Sequence, residues 1–268
     1  MTEKMTGVEC IENKFKSLKA QGRSALIPFI MAGYPDFDTS FAMMKAFPKA
    51  GADIIELGMP FSDPVGDGPA IRKAAEISLK QGTNLKMILE MVCKFRVQDK
   101  TTPIILMGYY NPIHFYGIER FLTDASTAGV SGFIIGDLPR EEDAVFCLPA
   151  VRKHASFIHL ISPLTNESRL PYILENASGF VYYISVKGIT GTRLANADDV
   201  KYRIELIQSK TTLPVCVGFG IRSPEQAKAI AGIADGVVIG SEISERLAGG
   251  ESVSDIMAFI REMAQSVH

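Results

Sequence analysis

The sequence predicts a parallel (β/α)8 barrel, a TIM barrel with an extra N-terminal helix, and three observations point to it. First, one phrase recurs: Ala-Gly, a spacer of up to three residues, then a short apolar run. It stands as Ala50-Gly51 before Asp53-Ile54-Ile55-Glu56-Leu57, as Ala128-Gly129 before Gly132-Phe133-Ile134-Ile135, and as Ala231-Gly232 before Gly236-Val237-Val238-Ile239. Each copy reads as a helix ending on a glycine, which can turn the chain back in the left-handed conformation. A strand apolar enough to be covered on both faces follows at once. Second, strand and helix patterns alternate eight times along the chain, the cadence of a parallel barrel. Third, an amphipathic stretch over 11–19 precedes the first strand and is expected to plug the barrel's lower end. A doubly wound open sheet is the structural alternative, but it usually needs fewer strands, and no GxGxxG opens the first unit.

In chain order the strands are expected over 25–33, 52–60, 103–111, 132–139, 156–163, 179–186, 214–220 and 236–241, each a short run rich in Ile, Val and Phe bounded by Gly, Pro or Ser. Between them helical periodicity covers 39–49, 85–98, 118–128, 141–152, 167–175, 198–209 and 224–231, with 253–264 closing the chain. Asp38, Asn84, Asn166 and Ser223 are candidate N-caps, each setting a short polar side chain before an apolar-periodic run. No linker or low-complexity segment divides the chain, so residues 1–268 are expected to form one domain.

The 268 residues are 47% hydrophobic and 22% charged with net charge −2, enough apolar material for a large core. Nothing is basic enough to track a nucleic-acid backbone. No signal-like core opens the chain and no run reaches the roughly 20 apolar residues of a membrane span, so a cytoplasmic location is expected. Cys10, Cys93, Cys147 and Cys216 have no CxxC spacing, and His114, His154, His159 and His268 make no metal pattern, so no metal site is expected.

In such a barrel the chemistry lies where strands end and loops begin. The richest such place runs from Glu56 to Pro69: Glu56-Leu57-Gly58-Met59-Pro60-Phe61-Ser62-Asp63-Pro64-Val65-Gly66-Asp67-Gly68-Pro69. Glu56 falls among Ile54, Ile55 and Leu57, so its carboxyl is either desolvated or paired. A buried carboxylate satisfied by a backbone or tyrosine partner is as good a reading of its position as a catalytic one. The loop that follows tips the balance: it adds Asp63 and Asp67, and a fourteen-residue βα loop is longer than a barrel needs. Turn-making would otherwise explain both aspartates. Late in the chain, Gly218-Phe219-Gly220-Ile221 and Gly240-Ser241 end two strands just before helix starts, and Gly188-Ile189-Thr190-Gly191-Thr192-Arg193 follows another. Gly-rich turns at consecutive βα loops of one barrel point to a phosphate held by backbone N–H groups, with the 188–193 segment adding donors or folding over as a lid.

Together, Glu56-Leu57-Gly-x-Pro60-Phe61-Ser62-Asp63-Pro64, Asp67-Gly68-Pro69, Gly188-x-Thr190-Gly191 and Gly218-Phe219-Gly220-Ile221 resemble the tryptophan synthase alpha subunit family, over nearly the whole chain from about Phe29. The resemblance implies retro-aldol cleavage of indole-3-glycerol phosphate to indole and glyceraldehyde 3-phosphate. It also implies a β partner that takes up the indole in an α2β2 heterotetramer, with pyridoxal phosphate only in that partner and no cofactor in this chain. The reaction needs a proton delivered to indole C3, stabilisation of charge at N1, and removal of the adjacent hydroxyl proton. By resemblance Glu56 is the general acid/base at C3 and the hydroxyl, and Asp67 the carboxylate on the indole N–H. Phe29, Tyr109 and Tyr182 match positions lining the indole pocket, although core packing alone would also explain Phe29. Thr190, Gly191, Phe219, Gly220, Gly240 and Ser241 match the substrate and phosphate positions. Asp63, Asn111 and Pro112 match the partner interface, the last two on a second loop. One position departs from the family: Gly66 stands where alanine is usual, which raises the entropy lost on ordering the loop.

Two other functions fit parts of this pattern. A different phosphosugar isomerase or epimerase would share the phosphate loops without needing the acidic loop or the aromatic pocket. A non-catalytic partner subunit would have no use for an intact Glu56/Asp67 pair. Within the lyase reading, the alternative is a stand-alone indole-3-glycerol-phosphate lyase without a β partner.

Overall fold

The computed structural model describes residues 5–184, 197–218 and 220–268. Nine parallel strands form one sheet: β1 (Ala25–Met31), β2 (Ile55–Gly58), β3 (Ile104–Gly108), β4 (Gly132–Ile135), β5 (Ser156–Phe157), β6 (Leu160–Ile161), β7 (Val181–Ile184), β8 (Val215–Gly218) and β9 (Gly236–Ile239). Their order is β5-β4-β3-β2-β1-β9-β8-β7-β6. The two end strands are consecutive pieces of the single stretch expected over 156–163. Only Ile158 and His159 separate them, and these bridge the gap, with Ile158 N–H donating to Phe133 O at 2.9 Å and Tyr182 N–H donating to His159 O at 3.1 Å. The sheet therefore closes on itself as eight staves, and the strand edges that would invite aggregation disappear.

Helix α1 (Gly7–Ala20) is held by a capping box, with Thr6 and Glu9 satisfying each other's backbone N–H. Its apolar stripe of Ile11, Phe15 and Leu18 packs in one cluster with Ala25, Ile27, Ile54 and Phe180, residues at or just before the strand starts. The helix thus closes the N-terminal end, as its periodicity predicts, and the opposite end is left for the site. Two further clusters, one of them much the largest, lie between the strands and the outer helices.

The outer helices are α2 (Phe37–Ala46), α3 (Pro69–Lys80), α4 (Leu85–Arg96), α5 (Tyr110–Tyr116), α6 (Ile118–Ala128), α7 (Cys147–Arg152), α8 (Leu170–Leu174), α9 (Ala197–Gln208), α10 (Pro224–Ala231), α11 (Ser241–Ala248) and α12 (Val253–Val267). Asn84 and Ser223 cap α4 and α10, and Asn166 caps the 3-10 turn Glu167–Arg169. At α2 the cap is Asp36 rather than Asp38, because Asp36 holds the extended backbone of a cap and accepts the Thr39 N–H at 2.8 Å. Gly51 and Gly129 have left-handed φ values of 101° and 91°, while Gly232 ends its helix in the right-handed region. Among the described residues no helix is long and apolar enough to cross a membrane.

Candidate active site

A cavity of about 170 Å³ opens at the C-terminal ends of the strands. It gathers Phe29, Glu56, Asp67, Tyr109, Tyr182, Gly220, Gly240 and Ser241 from distant parts of the chain. Between them runs an apolar wall that includes Met31, Met107, Leu160 and Ile184; in the sequence only strand register marks these four positions, and they read as ordinary core. Thr190, Gly191 and Phe219, with the proposed lid 188–193, lie outside the described residues.

Glu56 sits on β2 between Phe29 of β1 and Ile105 of β3. Ile55 and Leu57 point outward into the main core cluster, and the two-residue period of a strand turns Glu56 inward. Its side chain is fully buried, and neither carboxylate oxygen has a hydrogen-bond partner among the described residues. The alternative of a structurally satisfied carboxylate therefore finds no partner there. Loss of hydration pushes the carboxyl up from the ordinary 4.5 to about 8, so near neutrality Glu56 is a proton-carrying acid facing the cavity. Tyr182 lies close by, its hydroxyl raised well above its ordinary value by burial and then by the charge of Glu56. It also comes so close to Gly218 that a Cβ there would meet the Tyr182 hydroxyl at 2.0 Å, so only glycine fits.

Asp67 lies on the connection between β2 and α3, ten residues over 59–68 rather than fourteen, because the strand reaches Gly58 and the helix starts at Pro69. Proline at a first helical position is tolerated, since its missing N–H would have had no partner there. Asp67 is raised by burial, against the lowering effects of Tyr109 and Arg72. The Tyr109 hydroxyl accepts the Gly66 N–H at 3.0 Å, and its ring meets Phe61 at 5.5 Å between centroids. One side chain at the end of β3 thus holds the loop at two points, Phe61 and the Gly66 amide next to Asp67.

Across the cavity, Gly220 has φ of 90°, a backbone that favours glycine. Gly240 lies against Phe29, where a Cβ would be 3.2 Å from the Phe29 Cβ. Ser241 is the first residue of α11, whose leading N–H groups have no partner within the helix and attract anions.

The residues expected at a partner interface fall outside this cavity. Asp63 is exposed on the 59–68 connection; Asn111 is exposed and Pro112 half-buried. These two belong to the helix α5 rather than to a loop, with Pro112 in the first turn where proline is allowed. Behind the neighbouring wall the fold also gathers Asp143, Cys147 and His159, whose ligand-type atoms lie within 4.8 Å of one another, a grouping that linear spacing did not suggest. Asp143 there is ion-paired to Arg140 at 3.0 Å and bonded by Asn176 at 3.1 Å. Burial pushes the Cys147 thiol up to about 12.

The family model for the tryptophan synthase alpha chain matches residues 15–268. This chain belongs to the tryptophan synthase alpha chain family. Among solved structures, tryptophan synthase subunit alpha from Legionella pneumophila str. Paris is 35% identical with a TM-score of 0.89, covering 96% of this chain and 98% of its own. Mycobacterium tuberculosis tryptophan synthase is 34% identical at TM-score 0.89, with 96% and 97% covered. A protein of Aquifex aeolicus VF5 is 36% identical at TM-score 0.90, with 97% and 99% covered. As a tryptophan synthase alpha chain, the protein is a carbon–carbon lyase of tryptophan biosynthesis that cleaves indole-3-glycerol phosphate to indole and glyceraldehyde 3-phosphate.

Proposed function

We propose that Glu56 and Asp67 are the two carboxylates that carry this cleavage. The observation behind the proposal is Glu56 itself: a fully buried carboxyl with no hydrogen-bond partner among the described residues, lining the cavity, its proton held up to about pH 8. Protonated Glu56 gives its proton to indole C3, and the positive charge that appears on the ring at N1 is stabilised by ionised Asp67. Glu56, now a carboxylate, takes the proton of the neighbouring glycerol hydroxyl. The bond between C3 and the glycerol carbon breaks, its electron pair returns to the ring to restore indole, and the C–O unit becomes the aldehyde. One residue acts as acid and then as base, which a pKa near the working pH favours. Phe29, Tyr109 and Tyr182 wall the indole ring. Gly220, Gly240 and Ser241, with Thr190, Gly191 and Phe219, receive the phosphate.

The partner is a tryptophan synthase β subunit in an α2β2 heterotetramer contacted through Asp63, Asn111 and Pro112, and the complex is cytoplasmic. Pyridoxal phosphate belongs to the β subunit, and this chain works without a cofactor. Support for the assembly comes from the similarity to Mycobacterium tuberculosis tryptophan synthase and from the exposure of Asp63, on the connection after β2, and of Asn111, in the first turn of α5 after the adjacent strand β3. The test of the catalytic assignment is Glu56→Gln: indole release is expected to fall at least 10²–10⁴-fold, the usual worth of a general acid/base, with the circular dichroism spectrum and glycerol phosphate binding retained. Substantial residual turnover would sink it.

A further inference from the structure

The sheet order fixes which wall of the barrel faces the phosphate end. Counting round the closed ring from β9, the stave that leads to Gly240 and Ser241, four steps in either direction reach β4. Gly136 directly follows β4 and extends its ladder, its N–H donating to Gly108 O at 2.9 Å. A substrate with its phosphate at the β8 and β9 loops, its C3 at Glu56 and its N1 at Asp67 therefore turns the benzo edge of its indole, the part farthest from the phosphate, toward Gly136 and Leu160. This orientation rests on the catalytic reading above.

That wall has spare room. A Cβ built on Gly136 would have its nearest neighbours, Gly108 O and the Tyr109 ring, at 3.8 and 3.9 Å, so neither packing nor a positive φ demands glycine here. Beyond it lies a second cavity of about 350 Å³, and Gly136 and Leu160 line both. Met107 stands beside them in the substrate cavity, and a flexible thioether adjusts readily to a changed neighbour. We propose that Gly136 is a specificity-determining residue, and that this lyase cleaves indole-3-glycerol phosphates carrying a small apolar substituent on C5 or C6 of the benzo ring nearly as well as the unsubstituted substrate. A filled apolar pocket would discriminate against one extra methyl group by about 10–200-fold; the open wall at Gly136 removes most of that penalty.

The test compares kcat/KM for indole-3-glycerol phosphate and its 5-methyl and 6-methyl analogues, read as indole or methylindole release, in the chain saturated with a tryptophan synthase β subunit. In the wild type the preference for the unsubstituted substrate is expected to stay below about fivefold. It should rise to about tenfold in Gly136→Ala and toward about 100-fold in Gly136→Val, following the usual range for a crowded methyl. Gly136→Ala keeps the test valid should the valine variant fold poorly. A wild-type preference already near 100-fold, or one that stays constant across both variants, would overturn the proposal. A control variant, Ser241→Asp, sets a negative charge at the phosphate end and is expected to raise KM for all three substrates alike. An unchanged KM there would refute the phosphate reading from which the orientation follows, so the two failures are told apart.

Discussion

Removing the Glu56 carboxyl is expected to stabilise the fold while it abolishes the chemistry, and the gain should depend on pH in a defined way. Below about pH 4.5 the group is protonated whether the chain is folded or not, and it contributes nothing to the pH dependence. Between about 4.5 and 8 the unfolded chain has released the proton while the buried carboxyl in the folded chain keeps it. Folding must then take up a proton, and stability falls by about 1.4 kcal/mol per pH unit. Above about 8 both states are ionised and the full cost, on the order of 5 kcal/mol, is in place. Glutamine has a similar shape and cannot ionise, so the stability difference between Glu56→Gln and wild type isolates this contribution whatever the fixed cost of burying an amide. Urea unfolding of both proteins from about pH 5 to about pH 9, followed by circular dichroism, should show the variant gaining steadily on the wild type and levelling off beyond about 8. The wild-type kcat/KM should fall over the same alkaline limb as the acid form is lost. A stability difference that stays flat across this range would mean that the carboxyl is hydrated or paired, and the argument for a proton-carrying Glu56 would fail with it.

Other outcomes follow from the loop and the proposed partner face. In Gly66→Ala the new Cβ would lie 3.4 Å from the Tyr109 hydroxyl, an ordinary contact, and the loop loses less entropy on closing. The substitution is worth about 0.4–1 kcal/mol, so indole release without a partner should rise about two- to fivefold; a slower variant would refute this account of the loop. In Asp63→Ala, indole release by the isolated chain should be retained while stimulation by saturating β subunit is lost, and full stimulation would remove Asp63 from the interface.

The repeated Ala-Gly joints and the apolar runs made the strand order legible in the sequence, and Glu56 drew notice because a charge in an apolar strand needs a reason. What escaped did so for physical causes. Helix α3 follows a Pro- and Gly-rich loop without an N-cap side chain, and its one start signal, Pro69 at the first helical position, is indistinguishable on paper from the other prolines of that loop. In α5 a proline at the third position reads as a break, although the first turn needs no N–H from it. The apolar run over 156–163 gives no hint that it divides between two neighbours, because its first residues pair with β4 and its last with β7, a long-range matter of barrel closure. Asp36 and Asp38 are equally good caps on paper, and only backbone geometry separates them. The gathering of Asp143, Cys147 and His159 likewise comes from packing between elements rather than from spacing.

Tyr109 is both the residue from which α5 starts and the acceptor for the Gly66 amide. A force applied to α5 from outside is one residue away from a side chain that touches the catalytic loop, so a message between surface and cavity has a single mechanical link to cross. Thermodynamic reciprocity then runs the message both ways. If a protein seated on α5 favours the loop arrangement that grips substrate, substrate in the cavity must tighten the seating of that protein by the same factor. The lyase would report its own occupancy outward, holding its neighbour most firmly while there is indole to hand over.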